Sequence, residues 1–205
     1  MTEKPLKLIL ASQSPRRRDL LAEAGYDFEV IPSHVDEALG ACSQCGPAHM
    51  VVGLAVQKAA DVARHLQSNS ASVDGLIVAC DTVVECGGQI LGKPRDEEHA
   101  REMLGALSGQ VHRVYSGLCV WPLGQGAPHV ETEISTLRMD PLTAIQLEGY
   151  LASGLWEGKA GAFGYQDQPG WIHLVNGSES NVVGLPMELL AKMLERYETK
   201  EPARH

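Results

Sequence analysis

The short apolar run Leu6 to Ala11 (LKLILA) stops at Ser12 and leads at once into Ser14-Pro15-Arg16-Arg17-Arg18. The run is of buried-strand type. A serine before a proline marks a helix start, because proline has no N–H to lose in the first turn. A buried strand followed by a helix begins an α/β alternation, in which some adjacent strands suggest an antiparallel part. A core of Leu, Val, Ile and Ala with few aromatics is common where helices cover a largely buried sheet. The three arginines add a second constraint. A helix start already carries partial positive charge, so each cation there costs roughly a few tenths of a kcal/mol unless an anion lies nearby. A phosphate chain reverses that sign, since backbone N–H groups and arginine forks converge on it. The bland alternative, a solvated charge run on a surface helix, leaves the placement unexplained.

The same alternation continues along the chain. Phe28 to Pro32 reads as a second strand, followed by Asp36-Glu37 in a loop. Val51, Leu54, Ala55, Lys58 and Val62 fall at helical spacing within a helix from Ala48 to Leu66. Leu76 to Cys80 (LIVAC) reads as a buried strand ending at Asp81-Thr82, and Val83 to Gly92 as a hairpin around Gly87-Gly88. Asp96 caps a helix to about Leu107, and Val111 to Trp121 and His129 to Leu137 are strands. Thr143 with Gln146 forms a capping box for a helix to about Ser153. A glycine-rich stretch, Gly154 to Gly170, precedes a strand at Trp171 to Asn176 and a last helix from Pro186 to about Tyr197. No repeat or linker interrupts the chain, so 1–205 is read as one domain, with 198–205 as a frayed polar tail.

Net charge sharpens the ligand class. At −9 the chain lacks the basic stripe a broad nucleic-acid surface needs, so any anion must be held by a few placed cations. Five cysteines, an odd number, and the absence of an apolar leader or membrane-length run point to a cytoplasmic, reducing compartment. Cys42-x-x-Cys45 has no second pair to complete a zinc site, although His34 and His49 stand near it in sequence. Neither a Walker A pattern nor G-x-S-x-G occurs.

Several residues carry chemistry. Asp81, after an apolar strand, can bind a metal or activate water, or it can simply close an Asx-turn. Glu37 offers a second carboxylate, and Mg²⁺ needs only one or two when phosphates complete its shell. Lys58 lies on the apolar side of its helix, where it either neutralises a phosphate or snorkels to the rim. Lys93, in Gly92-Lys93-Pro94, stands where a backbone can approach a ligand closely. The loop Gly158 to Gln166 ends in a side chain with both a donor and an acceptor, the pairing needed to read a base edge.

LILASQSPRRRDLL, VDE, the helical QKA, ACDTVV, GKPRDEEHAREML, SGQVHRVYSG, GKAGAFGYQ and NVVGLP occur here in the order seen in Maf proteins. These were first named as septum-formation inhibitors. The resemblance spans Leu8 to Leu194. It implies a nucleotide pyrophosphatase using Mg²⁺ or Mn²⁺, with a fold similar to inosine triphosphate pyrophosphatases. That fold is a mixed central sheet flanked by helices, with a nucleotide cleft between two lobes, and such proteins are often homodimers. By the same resemblance Asp81 accepts the proton of the attacking water. Arg16, Thr82 and Gln166 fall at specificity positions. Ser12, Arg17, Glu37, Lys58 and Lys93 belong to the phosphate and metal cleft, Glu37 binding metal with Asp81. SPRR, DT and YQ match the subgroup acting on dTTP and UTP. The sister subgroup, acting on 7-methyl-GTP, carries tryptophan in place of Arg16, glutamine in place of Thr82 and glutamate in place of Gln166. Asp167-Gln168-Pro169 departs from the family's glycine after Gln166, as do Phe163 and the Cys42/Cys45 segment. The cellular roles implied are removal of non-standard nucleotides or restraint of cell division. A regulator that binds nucleotide without turnover is the rival from another class.

Overall fold

Strand β1 (Leu8–Leu10) is wholly buried and pairs in parallel with β2 (Phe28–Val30) on one side and β3 (Leu76–Cys86) on the other. The structure, a computed structural model, describes residues 7–35, 46–68, 75–124, 126–167 and 169–198. Beyond β3 the sheet turns antiparallel through β5 (Val111–Pro122), β6 (His129–Met139) and β7 (Ile172–Asn176), while β4 (Gln89–Leu91) pairs with β3. The order is β2-β1-β3-β5-β6-β7, a seven-stranded mixed sheet with helices packed against it, as the α/β reading expects.

Side-chain alternation along β3 sorts the helices to the two faces. Leu76, Val78 and Cys80 join Leu8 and Leu10 against α1 (Pro15–Glu23) and α6 (Met187–Glu198), through Leu21, Leu190, Met193 and Leu194. Ile77 and Ala79 join Ile9, Ala11 and Cys119 against α2 (Gly46–Ser68), through Ala55, Ala59 and Val62. Further along the long strands, Val84, Val114 and Leu137 pack on α3 (Glu97–Leu107) and α4 (Ala144–Ala152). Asp96 caps α3, accepting from His99 N at 2.8 Å, and the Thr143/Gln146 capping box opens α4.

Three readings need correction. β3 does not end at Asp81; it runs unbroken to Cys86, because β5 continues to pair with it from Leu76 to Glu85. The polar pair Asp81-Thr82 therefore lies in mid-strand. Ser14 occupies the N-cap position of α1 without a side-chain bond; its amide instead donates to Ser12 Oγ at 3.2 Å. A further short helix, α5 (Glu179–Val183), is capped by Ser178 and anchored by buried Asn181, which donates to Ser135 Oγ at 2.9 Å. Glu37, Cys42, Cys45 and the tail from 199 lie outside the described residues.

His112 on β5 is 1% exposed, edge-on to Phe163 at 5.3 Å, and neither ring nitrogen makes a hydrogen bond among the described residues. Burial pushes its pKa down to about 4, against a weaker opposing pull from the Gln110 backbone. The folded protein thus keeps this ring neutral, while the unfolded chain takes up a proton below about pH 6.5. Its stabilising share is complete above that pH and is lost as pH falls toward 4, by about 3 kcal/mol. His112→Phe is expected to flatten the fall in stability between pH 7 and 4.5, read as the difference between denaturation curves of the two proteins.

Candidate active site

β1 ends where Ala11 N donates to Val78 O at 2.9 Å, and the chain then leaves the sheet toward α1. This departure leaves the middle of β3 unpaired on that side, where Asp81 and Thr82 line a cleft. Strand parity sends the two side chains apart. Thr82 lies toward α1, where its hydroxyl meets Ser116 Oγ at 2.8 Å and accepts from Arg17 Nη2 at 3.2 Å. Asp81 lies toward α2 and accepts from Lys58 Nζ at 2.6 Å.

The Lys58–Asp81 pair is buried, with side chains 8% and 7% exposed. Taking two charges from water is expensive, so a buried pair is weak evidence of stabilisation and better evidence of a placed charge. Asp81 Oδ2 makes no hydrogen bond among the described residues. The rim-snorkelling alternative for Lys58 therefore fails, as does the Asx-turn reading of Asp81.

Arg17 is held at three points. Nε donates to Gly184 O at 2.7 Å, Nη1 to Ser12 Oγ at 3.2 Å, and Nη2 to Thr82. Gly184 closes α5, so the helix absent from the sequence reading is what locks this arginine. Arg16 reaches across the cleft to Gly158 O at 3.0 Å. Burial first, then adjacent Arg17, lowers the Arg16 pKa from its ordinary value, with Asp167 and Tyr150 opposing.

The cleft has a volume of about 880 Å³ and is lined by Ser12, Arg16, Arg17, Lys58, Asp81, Thr82 and Lys93, among others. Its size suits a small-molecule site, which typically encloses roughly 300–1,000 Å³. Four cations line it against Asp81 and the exposed Glu157 among the described residues, in a chain of net charge −9. A smaller recess continues from it past Arg16, Arg17, Thr82, Lys93 and Gly158 and adds Phe163 and Gln166 to the wall. The exposed Gln166 side chain makes no hydrogen bond among the described residues. Every sequence-predicted site residue except Glu37 thus lines one continuous depression.

Sequence reasoning missed Ser116, the Gly184 carbonyl, and an ion pair between Lys159 and Asp167 beneath the recess. A serine inside the apolar strand SGLCVW was the available signal for Ser116. No group of three or more His, Cys, Asp or Glu side chains able to hold a metal occurs among the described residues, and no described helix is long and apolar enough to cross a membrane.

Comparison with known proteins finds the family described as Maf-like protein over residues 7–197. A curated dTTP/UTP pyrophosphatase of Rhodopirellula baltica is 49% identical over 95% of this chain and 83% of its own. Proteins of the same name from Ruminiclostridium cellulolyticum and Bacillus cereus are 38% and 39% identical, over 94% and 93% of this chain and 97% and 95% of theirs.

Proposed function

The chain belongs to the Maf-like protein family, and from that premise we propose that it hydrolyses dTTP and UTP to the nucleoside monophosphate and pyrophosphate. The observation that carries this reading is the Asp81 carboxylate, whose Oδ1 is held by Lys58 and whose Oδ2 is unbonded among the described residues, on the floor of a cleft walled by Arg16, Arg17 and Lys93. The arginines and Lys93 bind the β- and γ-phosphates, aided by the orphan amides that begin α1. Asp81 Oδ2 orients water toward the α-phosphorus and takes one of its protons. The water oxygen bonds to phosphorus as the bridging oxygen departs with pyrophosphate, whose new charge the same cations stabilise. Lys58 keeps Asp81 aimed through its bond to Oδ1.

The donor set fits a hard divalent cation, Mg²⁺ or Mn²⁺, because one carboxylate facing phosphate oxygens is what such ions accept in nucleotide sites. Asp81 holds it, with Glu37 as the further carboxylate in this proposal. Bound there, the ion supplies charge neutralisation at the α-phosphate and a more acidic water. Base choice falls to Gln166 with Arg16 and Thr82, since a primary amide both accepts from N3–H and donates to a carbonyl of thymine or uracil.

A triphosphate panel of dTTP, UTP, dCTP, GTP and 7-methyl-GTP, with Mg²⁺ or Mn²⁺ and with chelator, tests this directly. We expect pyrophosphate fastest from dTTP and UTP and none with chelator. Preference for 7-methyl-GTP overturns the base assignment; binding without product overturns the enzyme.

A further inference from the structure

Gln166 itself is exposed and untethered among the described residues, yet an amide that selects a base must be held at one place. What holds it is the next residue. The Asp167 carboxylate pairs with Lys159 Nζ, both side chains about nine-tenths buried, and accepts from Tyr150 Oη at 2.8 Å. Tyr150 Oη in turn accepts from Gly164 N at 3.0 Å. The backbone is thereby tied on both sides of Gln166, at Gly164 and at Asp167.

Gly164 shows how closely the network is built. A Cβ there would lie 2.5 Å from Lys159 Nζ and nearer still to the Asp167 carboxylate, so the ion pair fills the space a side chain would take. Burial, then the bond to Asp167, raises the Tyr150 pKa, so the phenol stays protonated and keeps donating. Lys159 also follows Gly158, whose carbonyl receives Arg16. The network thus supports both base-facing candidates of this loop, and Asp167 acts on Arg16 through charge. Lys159 lines the recess, but its ammonium is committed to Asp167 rather than to a phosphate.

Resting on the reading that Gln166 meets the base, we infer that Asp167 is a positioning residue for base selection, acting through Lys159 and Tyr150 to fix Gln166 against thymine or uracil rather than cytosine. Cytosine presents an acceptor at N3 and a donor at C4, the reverse of thymine. A primary amide can satisfy either pattern by turning over, so discrimination depends on where its backbone is held.

The test is kcat and KM for dTTP and dCTP in the full chain, in Asp167→Asn, Tyr150→Phe and Gln166→Ala. Asp167→Asn is expected to lower the dTTP/dCTP ratio of kcat/KM about tenfold, toward that of Gln166→Ala, by raising KM for dTTP with kcat nearly unchanged. Tyr150→Phe keeps the ion pair and is expected to shift the ratio the same way by less, and it decides the matter if Asp167→Asn fails to fold. A selective wild-type enzyme whose ratio survives in both variants, or whose two substrates fall together through kcat, overturns the role of Asp167 alone. A wild-type enzyme with no preference for dTTP overturns the base reading and this inference with it.

Discussion

Asp81→Asn is expected to slow pyrophosphate release roughly 10²- to 10⁴-fold, the range that a positioned general base contributes. Asparagine is the informative replacement because it keeps an oxygen for Lys58 Nζ, which donates to Asp81 at 2.6 Å. Alanine would remove the carboxylate that Lys58 Nζ bonds, and breaking a buried pair in that way costs roughly 3–5 kcal/mol and confounds rate with folding. With asparagine, circular dichroism and thermal unfolding should stay close to wild type, and dTTP should still bind through Arg16, Arg17 and Lys93. The loss then sits in kcat rather than KM. Turnover near the wild-type rate in a folded Asp81→Asn protein removes Asp81 from the chemistry.

Gly117→Ala is expected to damage stability and turnover together. Gly117 pairs with Asp81 across β3 and β5 and lies beneath α2. A Cβ at Gly117 would stand 2.5 Å from Val52 N and nearer still to the Val51 carbonyl. Those are backbone atoms, so no side chain can swing aside. Ordinary contact begins near 3.4 Å, which requires α2 to lift by close to an ångström. Overpacking of this kind costs about 1–3 kcal/mol, and more where backbone must move. For a chain of 205 residues that corresponds to a fall in Tm of roughly 2–12 °C. The same lift draws Lys58 away from Asp81, and a misplacement of about an ångström at reacting groups can cost about 10² in rate. Gly105→Ala is the control, since that glycine lies in α3 with nothing within 4 Å of an added Cβ. A Gly117→Ala protein with wild-type Tm and rate contradicts the account of how α2 presents Lys58.

Much of this arrangement was legible in the residues, and the failures have physical reasons. Apolar runs located the strands, and helical spacing placed Lys58 on a buried face. Its partner was not legible, because Lys58 and Asp81 meet only through the packing of α2 on the sheet. β3 was cut short because Asp81-Thr82 breaks an apolar run, and a polar pair normally marks a strand's end. Here the strand continues because β5 pairs with it, and the polar residues open onto a cleft rather than into the core. Local pattern yields to function at that point. α5 is too short to show periodicity, yet its terminal carbonyl fixes Arg17. Ser14 looked like the cap by position; Ser12, two residues earlier, does the bonding and also meets Arg17. Asp167 stood out in the sequence only as a departure from a glycine. Its ties to Lys159 and Tyr150 come from the folding of a loop without periodicity, and no spacing rule reaches them.

In the proposed reaction, water attacks the α-phosphorus within the cleft floored by Asp81. Hydrolysis of dTTP in ¹⁸O-labelled water, followed by mass spectrometry of the products, tests it most directly. Attack at the α-phosphorus gives dTMP carrying one labelled oxygen and pyrophosphate carrying none. Label in pyrophosphate, or dTDP and inorganic phosphate as products, contradicts it.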